Sequence, residues 1–219
     1  MKTKNILIEL IEHLSVYELE CHRLGSELNM TDFLGFLNSK HAPRNVKVDS
    51  LRSDYKGNDL PERNGSDTDI SILIVLLFRY AKGYIKKALR DSQINTADEF
   101  SFLITLMTND SFSKTELIQK QVMEKTSGTE VINRLLKQGL IEQWHDSEDK
   151  RSIRVKIAHS GRMELLKILP NMQKVSQIVS GNLNDTEKST LAYMLRKLEH
   201  YHNNIFLTRK DQGIDELLD

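Results

Sequence analysis

Residues 147–161 read "SEDKRSIRVKIAHSG". A serine and two acids open the stretch as turn material, and Lys150 and Arg151 follow. Ile153, Val155 and Ile157 then alternate with Arg154 and Lys156 before Gly161. A period of two puts the three apolar residues on one face of a strand and the two cations on the other. Just upstream, Ile141 to Trp144 reads as a short partner strand. The stretch therefore predicts a hairpin with two adjacent cations at its tip.

Working outward, three helices precede the hairpin. The first spans about Thr96 to Asn109. Ser113 with Glu116 three residues later is a capping box that opens the second, to about residue 121. The third carries Val131, Ile132, Leu135 and Leu136 and stops at Gly139, a C-cap residue. Ser127 with Glu130 is a possible box for it, unless it starts two or three residues earlier. Helix, short helix, helix, strand, charged turn, strand is the order of a winged helix-turn-helix. After the hairpin a long helix spans about 159–180. Asn184 with Glu187 caps a last one with Leu191, Met194, Leu195, Leu198, His202 and Ile205 on one face.

Ahead of this block, residues 5–28 carry three heptads, Leu7, Leu14, Cys21, Leu28 with Leu10, Tyr17, Leu24, which predict a long helix with one apolar seam. "TDFLGFLNSK" predicts a short helix capped by Thr31 or Asp32. Residues 41–69, rich in Asn, Asp, Ser, Pro and Gly, predict an extended loop. Asp67, Thr68 or Asp69 caps a helix from about 70 to 91. Its run "ISILIVLLF", Ile70 to Phe78, reads as a buried segment, because nine residues fall short of the roughly 20 that cross a membrane. The polar end from Thr208 predicts a frayed tail.

The residues "NRLLKQGLIEQWHDSEDKRSIRVKIAHSGR", 133–162, resemble the MarR family of bacterial transcriptional regulators. Asp149-Lys150-Arg151, the alternating strand and Ile157-Ala158-His159-Ser160-Gly161 are similar to that family's wing and following helix. The similarity extends over about residues 70–206. Ala158 stands where the family has a capping Thr, Glu130 where it often has Arg, and Gln121-Val122 where it has Leu-Gly. The resemblance implies a mainly α fold with a small two- or three-stranded β wing, a winged helix-turn-helix plus long dimerisation helices. It divides the chain into an N-terminal helical extension (1–40), a loop or linker (41–69), dimerisation helices (70–95 and 159–207), the DNA-binding lobe (96–158) and the tail (208–219). It also implies a homodimer on a pseudo-palindromic operator of double-stranded DNA, and a small-molecule effector whose pocket residues the sequence does not name.

On that reading the recognition helix offers Thr126, Ser127, Gly128 and Thr129, small residues that let backbone and hydroxyls approach DNA, with Asn133 and Arg134 further along. The wing offers Lys150 and Arg151 at its tip and Arg154 on its strand, since cations on a hairpin tip can enter a narrow, negative minor groove. Asp149 would hold the turn. The plainer alternative leaves Ser127 as a cap, Arg134 in an internal pair and the tip as a solvated turn.

Net charge is zero over 219 residues, yet residues 111–162 carry an excess of +3. That permits a polyanion without requiring one. The single cysteine excludes an intramolecular disulfide, and Glu9 and Glu12 interrupt the first apolar run, so a cytoplasmic protein is expected, without membrane attachment. No phosphate loop, nucleophile elbow, CxxC or HExxH is present, and the seven histidines form no ligand set. This points away from an enzyme and from any metal or cofactor. Two alternatives remain: a helical protein-interaction module whose winged helix does not bind DNA, and a redox-sensing regulator based on Cys21, a seam position where core packing is the simpler role.

Overall fold

The computed structural model describes residues 2–24, 27–41 and 65–218. Most of the loop expected at 41–69 lies outside them. The chain divides into two compact units, Met1–Asp59 with Asn182–Asp219, and Leu60–Gly181.

The second unit holds α3 (Gly65–Ala88), α4 (Ala97–Leu106), β1 (Phe112–Ser113), α5 (Lys114–Lys120), α6 (Lys125–Lys137), β2 (Ile141–His145), β3 (Ile153–Ile157) and α7 (His159–Ser180). The strands form one antiparallel sheet in the order β1-β3-β2, with Ile141 opposite Ile157 and His145 opposite Ile153. This register buries Val155 and Ile157, so the alternation in the sequence is the alternation of the sheet. Phe102, Leu103, Leu106, Leu117, Ile132, Leu135, Leu140, Val155 and Leu165 close the core beneath it.

Local chemistry accounts for most boundaries. Thr96 caps α4 by accepting from the Glu99 amide at 3.1 Å. The Ser113–Glu116 box caps α5, at 2.7 Å and 3.2 Å. The Ser127–Glu130 box does not form. Instead α6 begins at Lys125, with Glu124 at the cap position making no side-chain bond. An acid at that position still favours the positive end of the helix dipole. Gly139, at φ +67, ends α6. Its amide reaches the Leu136 carbonyl and that of Leu140 the Leu135 carbonyl, both at 3.0 Å, the paired bonds of a Schellman cap. Ala158 precedes α7 without capping it, while Ser160 Oγ donates back to the Gly139 carbonyl at 2.6 Å. A Cβ on Gly161 would lie 2.0 Å from the Leu140 carbonyl oxygen, which is why glycine stands in this motif.

Two expectations change in this unit. α3 starts at Gly65, so 65–69 are helical and Asp67 sits inside the first turn, where an acid favours the dipole. The run Ile70–Phe78 is not buried within the chain: Ile70, Ile72, Leu73, Ile74, Val75, Leu77 and Phe78 are all exposed, Phe78 to 63%. The packing of α3 on the core comes instead from its far end, through Tyr84, Ile85 and Ala88, followed by Leu89.

The first unit holds α1 (Lys2–Leu24), α2 (Met30–His41), α8 (Asp185–Thr208) and a short 3-10 turn at Asp215–Leu217. The heptad helix stops at Leu24, leaving Leu28 outside it, and Asn29 rather than Thr31 or Asp32 caps α2 by accepting from the Asp32 amide at 2.9 Å. Only the C-terminal part of the seam is covered: Tyr17 and Cys21 pack with Phe33, Phe36 and Tyr193, while Leu7, Leu10 and Leu14 are exposed. Gly35 lets α2 approach α8, since a Cβ there would meet the Ser189 carbonyl and Tyr193 Cβ at 2.7 Å. α8 thus turns Ser189 and Tyr193 inward and leaves its expected apolar face, Leu191, Met194, Leu195 and Leu198, exposed. The Asn184–Glu187 box opens it, at 2.8 Å and 3.0 Å. Beyond it the expected frayed tail folds back, with Arg209 Nη2 donating to the Glu216 carbonyl at 3.0 Å.

Candidate nucleic-acid interface

α5 and α6 form the helix-turn-helix. The turn between them is made without glycine: Val122 sits at φ +52, a left-handed conformation that a β-branched side chain resists. The two helices meet closely at Gly128, where a Cβ would lie 2.6 Å from Ile118 Cγ1. Gly128 is therefore buried against α5. With Val131, Ile132 and Leu135 it defines the inward face of α6.

The outward face carries Thr126, Glu130, Asn133 and Lys137, with Lys125 and Ser127 exposed at the helix start. Thr129 is half-buried and its hydroxyl donates to the Lys125 carbonyl at 2.6 Å. Arg134 reaches toward α4 while its side chain stays 44% exposed. Its Nε donates to Glu99 Oε1 at 2.9 Å, and the other Glu99 oxygen accepts the Asn95 amide at 2.7 Å. Glu99 is fully buried, so this pair fixes α6 against the start of α4. Sequence reasoning missed Glu99, although Thr96 followed by Glu three residues later is a capping signal.

The wing is the loop between β2 and β3. Asp146 Oδ1 accepts the amides of Glu148 at 2.8 Å and Asp149 at 3.3 Å. Those bonds, and beyond them the Arg154 guanidinium, hold its carboxyl below the usual carboxylate range. Asp149 Oδ1 accepts the Arg151 amide at 3.0 Å and its carbonyl accepts the Ser152 amide at 2.8 Å, so it does hold the turn. Lys150 and Arg151 stand exposed at the tip. Arg154 does not join them. Its Nε and Nη2 donate to Ser111 Oγ and carbonyl at 2.9 and 3.0 Å, and Nη1 to Asp146 at 3.2 Å. It clamps the wing base to the segment before β1. Lys156 pairs with Glu142 at 3.2 Å and lies over the Trp144 ring. Six of the nine expected contact residues thus lie at the surface of α6 or the wing tip, while Gly128 packs on Ile118, Arg134 pairs with Glu99 and Arg154 with Ser111 and Asp146.

Residues 96–153 match the model of the MarR family. This lobe is a MarR-family winged helix. Two curated relatives are HTH-type transcriptional repressors: NicR of Pseudomonas putida, 27% identical over 103 residues, and YetL of Bacillus subtilis, 31% identical over 87. The matches cover 47% and 39% of this chain and 65% and 52% of the relatives, under two-thirds of each. Among solved structures, a mutant MarR from E. coli complexed with operator DNA superposes with a TM-score of 0.57 at 23% identity, over 61% of this chain and 95% of that one. BpsR of Bordetella bronchiseptica, whose DNA binding is regulated by 6-hydroxynicotinic acid, gives 0.56 at 23% identity, over 60% and 98%.

The MarR-family match begins at the α4 cap and ends at the first residue of β3, so it contains both the Glu99–Arg134 lock and the wing tip. Outside it, Cys21 in the first unit is 5% exposed and packs with Tyr17, Phe33, Phe36 and Tyr193. Among the described residues no group of metal-ligating side chains is present, and no helix is long and apolar enough to cross a membrane.

Proposed function

We propose that this chain is a cytoplasmic transcriptional regulator that binds a pseudo-palindromic operator as a homodimer, with a small-molecule effector tuning its affinity. The observation that carries the reading is the pairing, on one MarR-family lobe, of a helix with an open polar face and a wing with two uncovered cations at its tip. Thr126, Ser127 and Asn133 would address base edges, Thr129 the backbone, and Lys150 and Arg151 the phosphates. Arg154 supports the wing from behind. The exposed apolar run of α3 and the exposed face of α8 support a second copy, since surfaces of this kind mark an interface. A two-fold dimer places its recognition helices about one DNA turn, ~34 Å, apart. The regulated DNA binding of BpsR supports an effector, which would act by favouring one spacing of the two helices.

An anisotropy titration against the chain's own promoter DNA tests this, with wild type beside Lys150→Ala/Arg151→Ala at two salt concentrations. Discrete binding by wild type, with weaker binding and a shallower salt dependence in the variant, is the expected result. Equal binding of promoter and random DNA by both proteins would end the operator reading. A second reading, a helical protein-interaction module, draws on α1, where Ile6, Leu7, Ile11 and Leu19 are exposed. It is the reading that remains if no salt-dependent DNA binding is found.

A further inference from the structure

We propose that Glu130 reads a cytosine in each operator half-site; the inference rests on the operator-binding reading above and adds a base to it. Val131, Ile132 and Leu135 fix the inward side of α6, with Gly128 against Ile118. Opposite them, Thr126, Glu130 and Asn133 follow at intervals of four and three residues, so they form one line along the helix. Glu130 is the middle of that line. A helix inserted with this face toward the groove floor carries its carboxylate to the base edges.

The usual partner for a glutamate here is a cation one turn on. Arg134 occupies that position, but its Nε is committed to the buried Glu99 carboxylate. Among the described residues no ion pair holds Glu130. A carboxylate is an acceptor only. Surrounded by phosphates it is repelled unless it meets a donor, and the major groove offers donors on cytosine N4 and adenine N6. Adenine presents the N7 acceptor beside its amino group, which repels a carboxylate. Cytosine presents N4–H2 without that neighbour. Glu130 therefore weakens attachment to DNA in general and favours sites with cytosine at one place, which is discrimination by repulsion as well as attraction.

The test is selection from a library of randomised half-sites by the full chain, as wild type, Glu130→Gln and Glu130→Ala. Glu130 is exposed, so neither substitution disturbs packing. Wild type is expected to enrich a C·G pair at one position of each half-site. Exchanging that pair for T·A should weaken wild-type binding about tenfold or more. Glu130→Gln should move the preference to adenine, which a carboxamide pairs through N6 and N7. Glu130→Ala should leave that position degenerate and bind random DNA more tightly than wild type. If all three proteins enrich the same motif, the assignment of Glu130 is overturned and the regulator reading survives. If wild type enriches no motif, both are overturned.

Discussion

Arg134 Nε donates to Glu99 Oε1 at 2.9 Å, joining the recognition helix to the first turn of α4 through a carboxylate that is fully buried. The carboxylate has two protein donors, Arg134 and the Asn95 amide, and both lose their acceptor if it is removed. Glu99→Ala should destabilise the chain by about 1–3 kcal/mol, because the Asn95 amide loses its acceptor and α6 its tie to α4. Arg134→Ala should cost a similar amount by leaving a buried carboxylate without its counter-charge, held only by the Asn95 amide. Urea denaturation measures both. If Arg134→Ala changes the midpoint no more than a surface substitution does, the pair is not a lock.

Val122 offers a gain. It occupies a left-handed conformation at φ +52 with its side chain 56% exposed, so little apolar burial is lost on removing it. Val122→Gly should relieve roughly 1–2 kcal/mol of backbone strain against about 0.5–1 kcal/mol of added chain entropy in the unfolded state. A raised melting temperature is expected, and a lowered one would show that the strain is absent.

Gly128 predicts the opposite sign. An added methyl would lie 2.6 Å from Ile118 Cγ1 and 2.7 Å from Ile118 Cγ2. Gly128→Ala should push α5 from α6 and cost about 1–3 kcal/mol, despite the better helix propensity of alanine. Gly128→Ala paired with Ile118→Ala, which removes both γ carbons, should cost less in thermal melts than the two single changes added together. Simple additivity would mean that the contact with Ile118 is not the cause.

Arg154 and the tip cations separate by readout. Arg154→Ala removes three bonds at the base of the wing and should lower its protection in hydrogen exchange. Lys150→Ala/Arg151→Ala removes exposed side chains and should leave protection unchanged while DNA binding falls. A wing equally protected in Arg154→Ala would assign that arginine away from the clamp.

The wing turn also carries a pH dependence of definite sign. The folded Asp146 carboxyl ionises below its ordinary value, mainly because the Glu148 and Asp149 amides donate to it. Its stabilisation is therefore fully present above the unfolded value, about 3.9, and is lost as pH falls through the lower folded value. The amide signals of Glu148 and Asp149 should hold their positions in NMR down to about pH 4 and shift together below it. Asp146→Asn should abolish the shift, and its persistence in that variant would assign the titration to another group.

Much of the lobe was legible because its signals are local. The alternation of Ile153, Val155 and Ile157, the Ser113–Glu116 box and Gly139 each act within a few residues, and the structure keeps all three. The spacing of α6 was legible too, and of its two possible starts the structure takes the earlier, with Glu124 and not Ser127 at the N-cap. The roles of the arginines were not legible. Arg154 lies beside Ser111, 43 residues away in sequence, and Arg134 beside Glu99, 35 away. Nothing local distinguishes such a cation from one that faces solvent.

Hydrophobic pattern likewise named the helices without naming what they touch. Ile70–Phe78 and Leu191–Leu198 have the apolar pattern of core helices, yet the single chain leaves both runs exposed and buries Tyr193 through the close approach at Gly35. Periodicity, caps and turn residues act over one or two turns, so the chain alone specified a winged helix with a charged tip. Which polar side chains remain free at its surface depends on contacts between residues far apart in sequence, and only the packed structure decides that.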